Sequence, residues 1–181
     1  GTDMVPKGFV FPNVSLIGMI IGETGIHSSN FRSAEKIFQR IYNLSKIASK
    51  SEIIIQTYKP NFYPIASGSS QNYLDFFQKE ILFRKSQNLP PYSNIIRLIY
   101  SNKNEQSCSY ESKKIFSELL NIRNILNLQN IEVRSPTPTS PPKDKELYKF
   151  QIHIRGKHPQ LLIQNIKLKK DWVVDVDPVG I

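Results

Sequence analysis

Cysteine is almost missing from this chain of 181 residues. The single Cys108 can form no internal disulfide and cannot supply a Cys-rich zinc knuckle or ribbon. Long apolar runs are missing too. The longest, Val14 to Ile21, is interrupted by Ser15 and Gly18 and falls far short of the ~20 residues that a membrane-spanning helix needs, so no membrane partner is expected. No positively charged leader precedes an apolar stretch, and the expected address is cytoplasmic. The chain contains no G-x-x-x-x-G-K-[ST] loop to cradle a nucleotide and no G-x-S-x-G nucleophile elbow. His153 and His158 have no cysteine nearby, a pattern that fits no common zinc spacing. Asp175 and Asp177 point to one face of a strand but lack a third oxygen ligand, so capping and turn roles are preferred over a metal. His27 has no evident catalytic partner. No metal site is expected, and by itself the chain offers no complete enzyme.

What is present is an apolar fraction of 39%, enough for a core, and 24 Lys+Arg against 15 Asp+Glu, a net charge of +9. That surplus suggests a polyanionic partner. The chain opens on Gly1 directly into motif-like sequence, and is expected to be a fragment. Residues 14–21 read as a buried strand, 22–30 as a loop, 31–48 as a helix with Ala34, Ile37, Phe38, Ile41, Leu44 and Ala48 on one face, and Glu52 to Tyr58 as a second buried strand. This is the β–α–β rhythm of a parallel α/β sheet, and two strands cannot make such a sheet alone. Lys59 to Asn72, rich in Pro, Gly and Ser, reads as a linker. Tyr73 to Gln87 reads as a helix with Tyr73, Phe76, Phe77, Ile81 and Leu82 on its stripe, stopping before Pro90-Pro91.

The last portion gives a strand at 94–101 and a helix over about 104–127 with Ile115, Phe116, Leu119, Leu120 and Leu126 inward. A short strand at 131–134 and a Pro-rich basic loop at 135–145 follow. Leu147 to Arg155 then alternates: Tyr148, Phe150, Ile152 and Ile154 on one face, Lys149, Gln151, His153 and Arg155 on the other. A short helix at 159–169 and a strand at 172–177 complete a βαββαβ order, that of the ferredoxin-like split βαβ motif. The expected fold is therefore α/β followed by α+β. Residues 1–58 form an incomplete first domain, 59–93 a linker and connecting helix, and 94–181 a second domain whose sheet leaves one face open.

KGFVF at 7–11 partly matches an RNA-recognition pattern, but Val10 stands where Gly or Ala is wanted, and Pro12 interrupts the strand. Between Lys143 and Lys170 eight basic residues face two acids, a local +6. Such a density can neutralise several phosphates, and a solvated surface is the competing reading.

Four ordered blocks carry a more specific signal. GTDMVPKGFVFPNVSLIG at 1–18, NFRSAEKIFQ at 30–39, YLDFFQKEILFRKSQNLPPYS at 73–93, and LYKFQIHIRG at 147–156 with VDVDP at 174–178 resemble the C-terminal part of the PriA family of primosomal replication-restart helicases. The resemblance implies that residues 1–58 end a RecA-like helicase lobe and that 94–181 form the family's C-terminal domain. It implies an ATP-dependent 3′→5′ DNA helicase in the full-length family, acting at stalled forks. DNA, branched or single-stranded, the single-stranded-DNA-binding protein and other primosome proteins are the implied partners. Gly1, Thr2, Lys7 and Gly8 are implied to contact the DNA backbone, Gly by close approach of its N–H, Thr and Lys by donating hydrogen bonds. Lys143, Lys149, Arg155 and Lys157 are the expected nucleic-acid contacts of the basic face. ATP with Mg and zinc are implied only for the full-length family, and no cofactor is expected in this chain.

The departures bear on activity. Where the family has the motif VI run QVAGRAGR, this chain has NLSKIASK at 43–50. Asn43, Lys46, Ile47 and Lys50 replace Gln, Gly and the two arginines. Ile supplies no clamp for a γ-phosphate, and Lys supplies only a point charge. The expectation is DNA and replication-protein binding without ATPase activity of its own. One alternative is part of an active helicase completed by N-terminal sequence; another is an unrelated ferredoxin-like RNA-binding module.

Overall fold

A computed structural model describes residues 13–26, 30–47 and 51–178. The chain divides into two compact units between Phe83 and Arg84. Among the described residues no helix is long and apolar enough to cross a membrane.

Unit 1 contains β1 (Leu16–Met19), α1 (Ser33–Ile47), β2 (Glu52–Ile55), α2 (Tyr63–Ser69) and most of α3 (Tyr73–Ser86). β1 and β2 run parallel, with Leu16 opposite Glu52 and Met19 opposite Ile55, and α1 is the crossover that parallel strands require. Asn30 starts α1: its Oδ1 accepts the Arg32 N–H at 2.9 Å, and its carbonyl accepts the Ser33 hydroxyl at 2.6 Å. Ile37, Ile41 and Ile65 form the buried cluster, with Met19, Ile26, Ile55 and Phe62 packed against it. The expectation of two buried strands is corrected: Leu16 and Ile54 are each 53% exposed. Among the described residues the two-stranded pair is covered by helices on one face only.

The stretch 59–72, expected as a linker, contains α2. Pro64 stands in its first turn, where a missing N–H costs nothing, and Pro64, Ile65, Ser67 and Gly68 are buried. A Cβ on Gly68 would lie 3.0 Å from the Ile41 Cβ, so only glycine lets α2 approach α1 this closely. On α3 the expected stripe is also corrected. Phe76 is buried and stacks on Phe38 at 4.2 Å, and Glu80 is buried, accepting from the Tyr63 hydroxyl at 2.5 Å. Tyr73, Phe77 and Leu82 are exposed.

Unit 2 contains β3 (Asn94–Asn102), α4 (Glu105–Ile125), β4 (Glu132–Val133), β5 (Thr137–Asp144), β6 (Leu147–Gly156), α5 (Gln160–Gln164) and β7 (Trp172–Val176). The sheet order is β4-β6-β3-β7, with β5 also beside β6, and every pairing is antiparallel. Asn104 caps α4, its side chain accepting the Ser107 N–H. Twelve buried residues form one core, in which Leu98, Cys108, Leu119, Ile152, Ile154 and Leu162 are completely enclosed. The Cys108 thiol is pushed up in pKa by burial and donates to the Tyr100 and Tyr148 carbonyls at 3.4 Å. Two expectations are corrected here. Leu126 lies beyond α4 and is exposed. Residues 137–144 of the expected Pro-rich loop form strand β5, with an irregularity between Pro138 and Lys143. At a sheet edge a proline loses no ladder hydrogen bond when its nitrogen faces solvent.

Candidate nucleic-acid interface

The alternation read in β6 is observed. Tyr148 and Phe150 pack against the core and Ile152 and Ile154 belong to it, so Lys149, Gln151, His153 and Arg155 stand on the opposite, open face. Register extends that face across the sheet. Arg97, Ile99 and Ser101 of β3 lie opposite His153, Gln151 and Lys149, and Val173 and Asp175 of β7 lie opposite Ile99 and Arg97. No Phe, Tyr or Trp occupies these positions, which removes the stacking platform that a ferredoxin-like RNA-binding module needs.

The cations on this face are largely tied to carboxylates. The Arg97 guanidinium donates to Asp175 Oδ2 through Nε at 3.2 Å and Nη2 at 2.5 Å. Arg155 Nε donates to Glu132 at 3.0 Å, and Arg134 Nε donates to the same carboxylate at 2.9 Å. Burial pushes the Glu132 carboxyl up, but these guanidinium contacts outweigh it and hold the group below its ordinary value. Lys149 Nζ donates to Asp144 at 2.6 Å, and this hydrogen bond lowers the Asp144 pKa. Lys143 is not on this face: it lies opposite Tyr148 in register, on the side of the sheet that carries the core, with its ammonium 5.0 Å from the Tyr148 ring centroid. Lys157 is exposed, just beyond β6.

His153 contributes no charge near neutral pH. Burial, then the Arg97 and Arg134 guanidinium groups, bring its pKa down to about 4. Its Nε2 is buried with no hydrogen-bond partner among the described residues. Sequence reasoning did not single out Arg97 or Arg134. The available signal was Arg97 itself, a lone charge in the apolar strand NIIRLIY, which marks an outward position.

Gly1, Thr2, Lys7, Gly8 and Lys50 lie outside the described residues. Asn43 and Lys46 are exposed on α1, with Lys46 Nζ 4.7 Å from the Tyr42 ring centroid, and Ile47 ends the helix. Neither Asn43 nor Lys46 is a guanidinium, so this turn does not fit a γ-phosphate clamp. No group of three or more metal-ligating side chains occurs among the described residues. Sequence reasoning also missed Glu23, which is buried beyond the end of β1. Its Oε1 accepts the Thr57 hydroxyl and, at 2.8 Å, the Lys59 N–H, which ties the ends of the two parallel strands. The Thr57 contact is the main cause of its lowered pKa.

No family model matches the chain. Curated proteins do match it: its similarity runs over nearly its whole length to bacterial replication restart proteins. The chain is 31% identical over 177 residues to replication restart protein PriA of Borreliella burgdorferi, covering 96% of this chain and 26% of that protein. It is 31% identical over 172 residues to the protein of the same name from Bacillus subtilis, covering 92% and 21%. Against the Chlamydia trachomatis protein the identity is 32% over 190 residues, covering 99% and 25%. The chain is a relative of the PriA proteins, consistent with their C-terminal part, and spans about a quarter of their length.

Proposed function

We propose that this chain is the C-terminal portion of a replication restart protein, binding DNA at stalled forks without hydrolysing ATP itself. The similarity to PriA across 92–99% of the chain carries this reading. In it, unit 2 is a ferredoxin-like split βαβ domain. The order β4-β6-β3-β7 with helices after the first and third of these strands in chain order supports that assignment. Unit 1 is the end of a RecA-like lobe.

Charge supports the choice of unit 2 as the DNA-binding part. Sixteen of the 24 basic residues and nine of the 15 acids follow Phe83, so unit 2 carries +7 of the net +9. Lys157 reaches the phosphates directly, Lys149 and Arg155 exchange Asp144 and Glu132 for phosphate oxygens as DNA arrives, and Lys143 reaches a phosphate from around the β5 edge. Contacts to the phosphate backbone position a protein without reading sequence. Single-stranded-DNA-binding protein and other primosome proteins are the proposed protein partners.

The test is fluorescence anisotropy of the full chain with labelled forked, duplex and single-stranded DNA across a salt series. Binding that favours the fork and weakens steeply with salt is expected. No binding to any of the three at low salt would sink the reading.

A further inference from the structure

The two edges of the unit 2 sheet are built differently. On one side β4 has two residues, and β5 carries Pro138, Pro141 and Pro142 with a break in register. Short strands, prolines and irregularities are how proteins stop an edge from recruiting another strand. The other edge, β7, has none of these devices. Its sequence is WVVDV, and Val173, Val174 and Val176 are 56%, 40% and 62% exposed.

Its backbone is open as well. The Asp177 N–H donates to the Ile95 carbonyl at 2.9 Å, and Val176 lies opposite Ile96. In an antiparallel ladder such bonded pairs alternate with non-bonded ones. Asp177, Asp175 and Val173 therefore bond toward β3, whereas Val174 and Val176 aim their N–H and C=O groups outward. Among the described residues nothing pairs with them.

Charge selects the occupant. Within β7 Asp175 stands on the open face, where it holds Arg97, and Val174 and Val176 stand on the other; Asp171 and Asp177 flank the strand at its two ends, Asp177 with a φ of 52°. A second copy pairing antiparallel through β7 meets itself badly. Centred on Val174 it sets Asp171 against Asp177, centred on Val173 it sets Asp171 against Asp175, and centred on Asp175 it sets that residue against its own copy. Like charges directly opposite are destabilising.

We propose that β7 is a strand-addition site for an extended segment of another polypeptide in which apolar residues alternate with Lys or Arg. Its apolar side chains continue the layer of Val174 and Val176, its basic ones meet the aspartates, and its backbone bonds to Val174 and Val176.

The probe is a capped, fluorescein-labelled heptapeptide, Lys-Val-Arg-Val-Thr-Val-Lys, titrated with the full chain and read by anisotropy. Saturable binding is expected, weakened at least about tenfold by Val174→Pro, which removes an outward donor and leaves the β3 ladder intact. Probe peptide N-methylated at its central valine needs no protein variant and is expected to lose binding likewise. Replacing the peptide's basic residues by Glu should abolish binding to the native chain and restore it with D171K/D177K. The proposal is overturned if the probe does not bind at ~1 mM, if the N-methylated probe binds as well as the parent, or if the chain dimerises through β7 without probe.

Discussion

Units 1 and 2 are both mixed α/β, yet they bury their strands to very different degrees. In unit 1 the two strands are parallel, four residues each, and both show alternating exposed and half-buried positions. Three isoleucines make its buried cluster. In unit 2 the central strands β3 and β6 have nine and ten residues and are flanked on both sides, and twelve residues form the core. A parallel pair reaches closure only when more strands and helices cover it, because parallel sheets are normally buried on both faces. An antiparallel sheet is satisfied with one covered face. Unit 2 therefore closes its core with its own residues while keeping a second face for charge.

The sharpest way to break this comparison is to remove core volume. Leu98→Ala, at a fully buried site, should destabilise unit 2 by roughly 2–5 kcal/mol. Calorimetry should show one transition shifted while that of unit 1 stays in place. Ile37→Ala should do the reverse. A single shared transition moved equally by both variants would mean that the units do not melt separately.

The next effect comes from His153. Its folded pKa of about 4 lies below the ordinary 6.5, so the unfolded chain takes up a proton first as pH falls. The stability it contributes is complete above about pH 6.5 and is lost progressively down to about pH 4. The loss is on the order of 2 kcal/mol, allowing for solvent screening. His153→Gln should flatten the pH dependence of the unit 2 denaturation midpoint over that window. An unchanged slope would remove His153 as its cause.

A smaller effect is expected at Asn104, whose side chain caps α4. Asn104→Ala should cost unit 2 about 1 kcal/mol, read from chemical denaturation. The smallest stability changes belong to Lys143→Ala and Lys157→Ala, within about 0.5 kcal/mol. If the proposed interface is right, each should reduce the salt slope of duplex binding by about 0.9. Unchanged slopes would move the DNA contact elsewhere on unit 2.

Regular alternation was the most legible feature. The run LYKFQIHIRG announced a strand with one apolar and one polar face, and β6 has both. The apolar spacing of Ile115, Phe116, Leu119 and Leu120 announced α4. Composition was a poorer guide. The Pro, Gly and Ser content of 59–72 concealed α2, and the prolines of 135–145 concealed β5. In both places proline sits where its missing N–H is harmless, a distinction that depends on neighbours rather than on residue type. Charge counted between Lys143 and Lys170 could not include the partners that lie elsewhere in the sequence: Arg155 finds Glu132 of β4 and Lys169 finds Glu111 of α4.

By itself, then, the amino-acid sequence determined the β–α–β order of unit 1, the strand and helix succession that begins and ends unit 2, the inward faces of α1, α4 and β6, and the relationship to PriA. Those properties are written in local periodicity and in ordered motifs. Tertiary structure alone decided which cations are tied to carboxylates, that His153 is neutral, that Glu23 joins the ends of β1 and β2, and that one sheet edge is blunted while β7 has no outer strand among the described residues. Each of these depends on which distant residues a side chain or a backbone group meets, and electrostatic and hydrogen-bond energies are set by those distances rather than by separation along the chain.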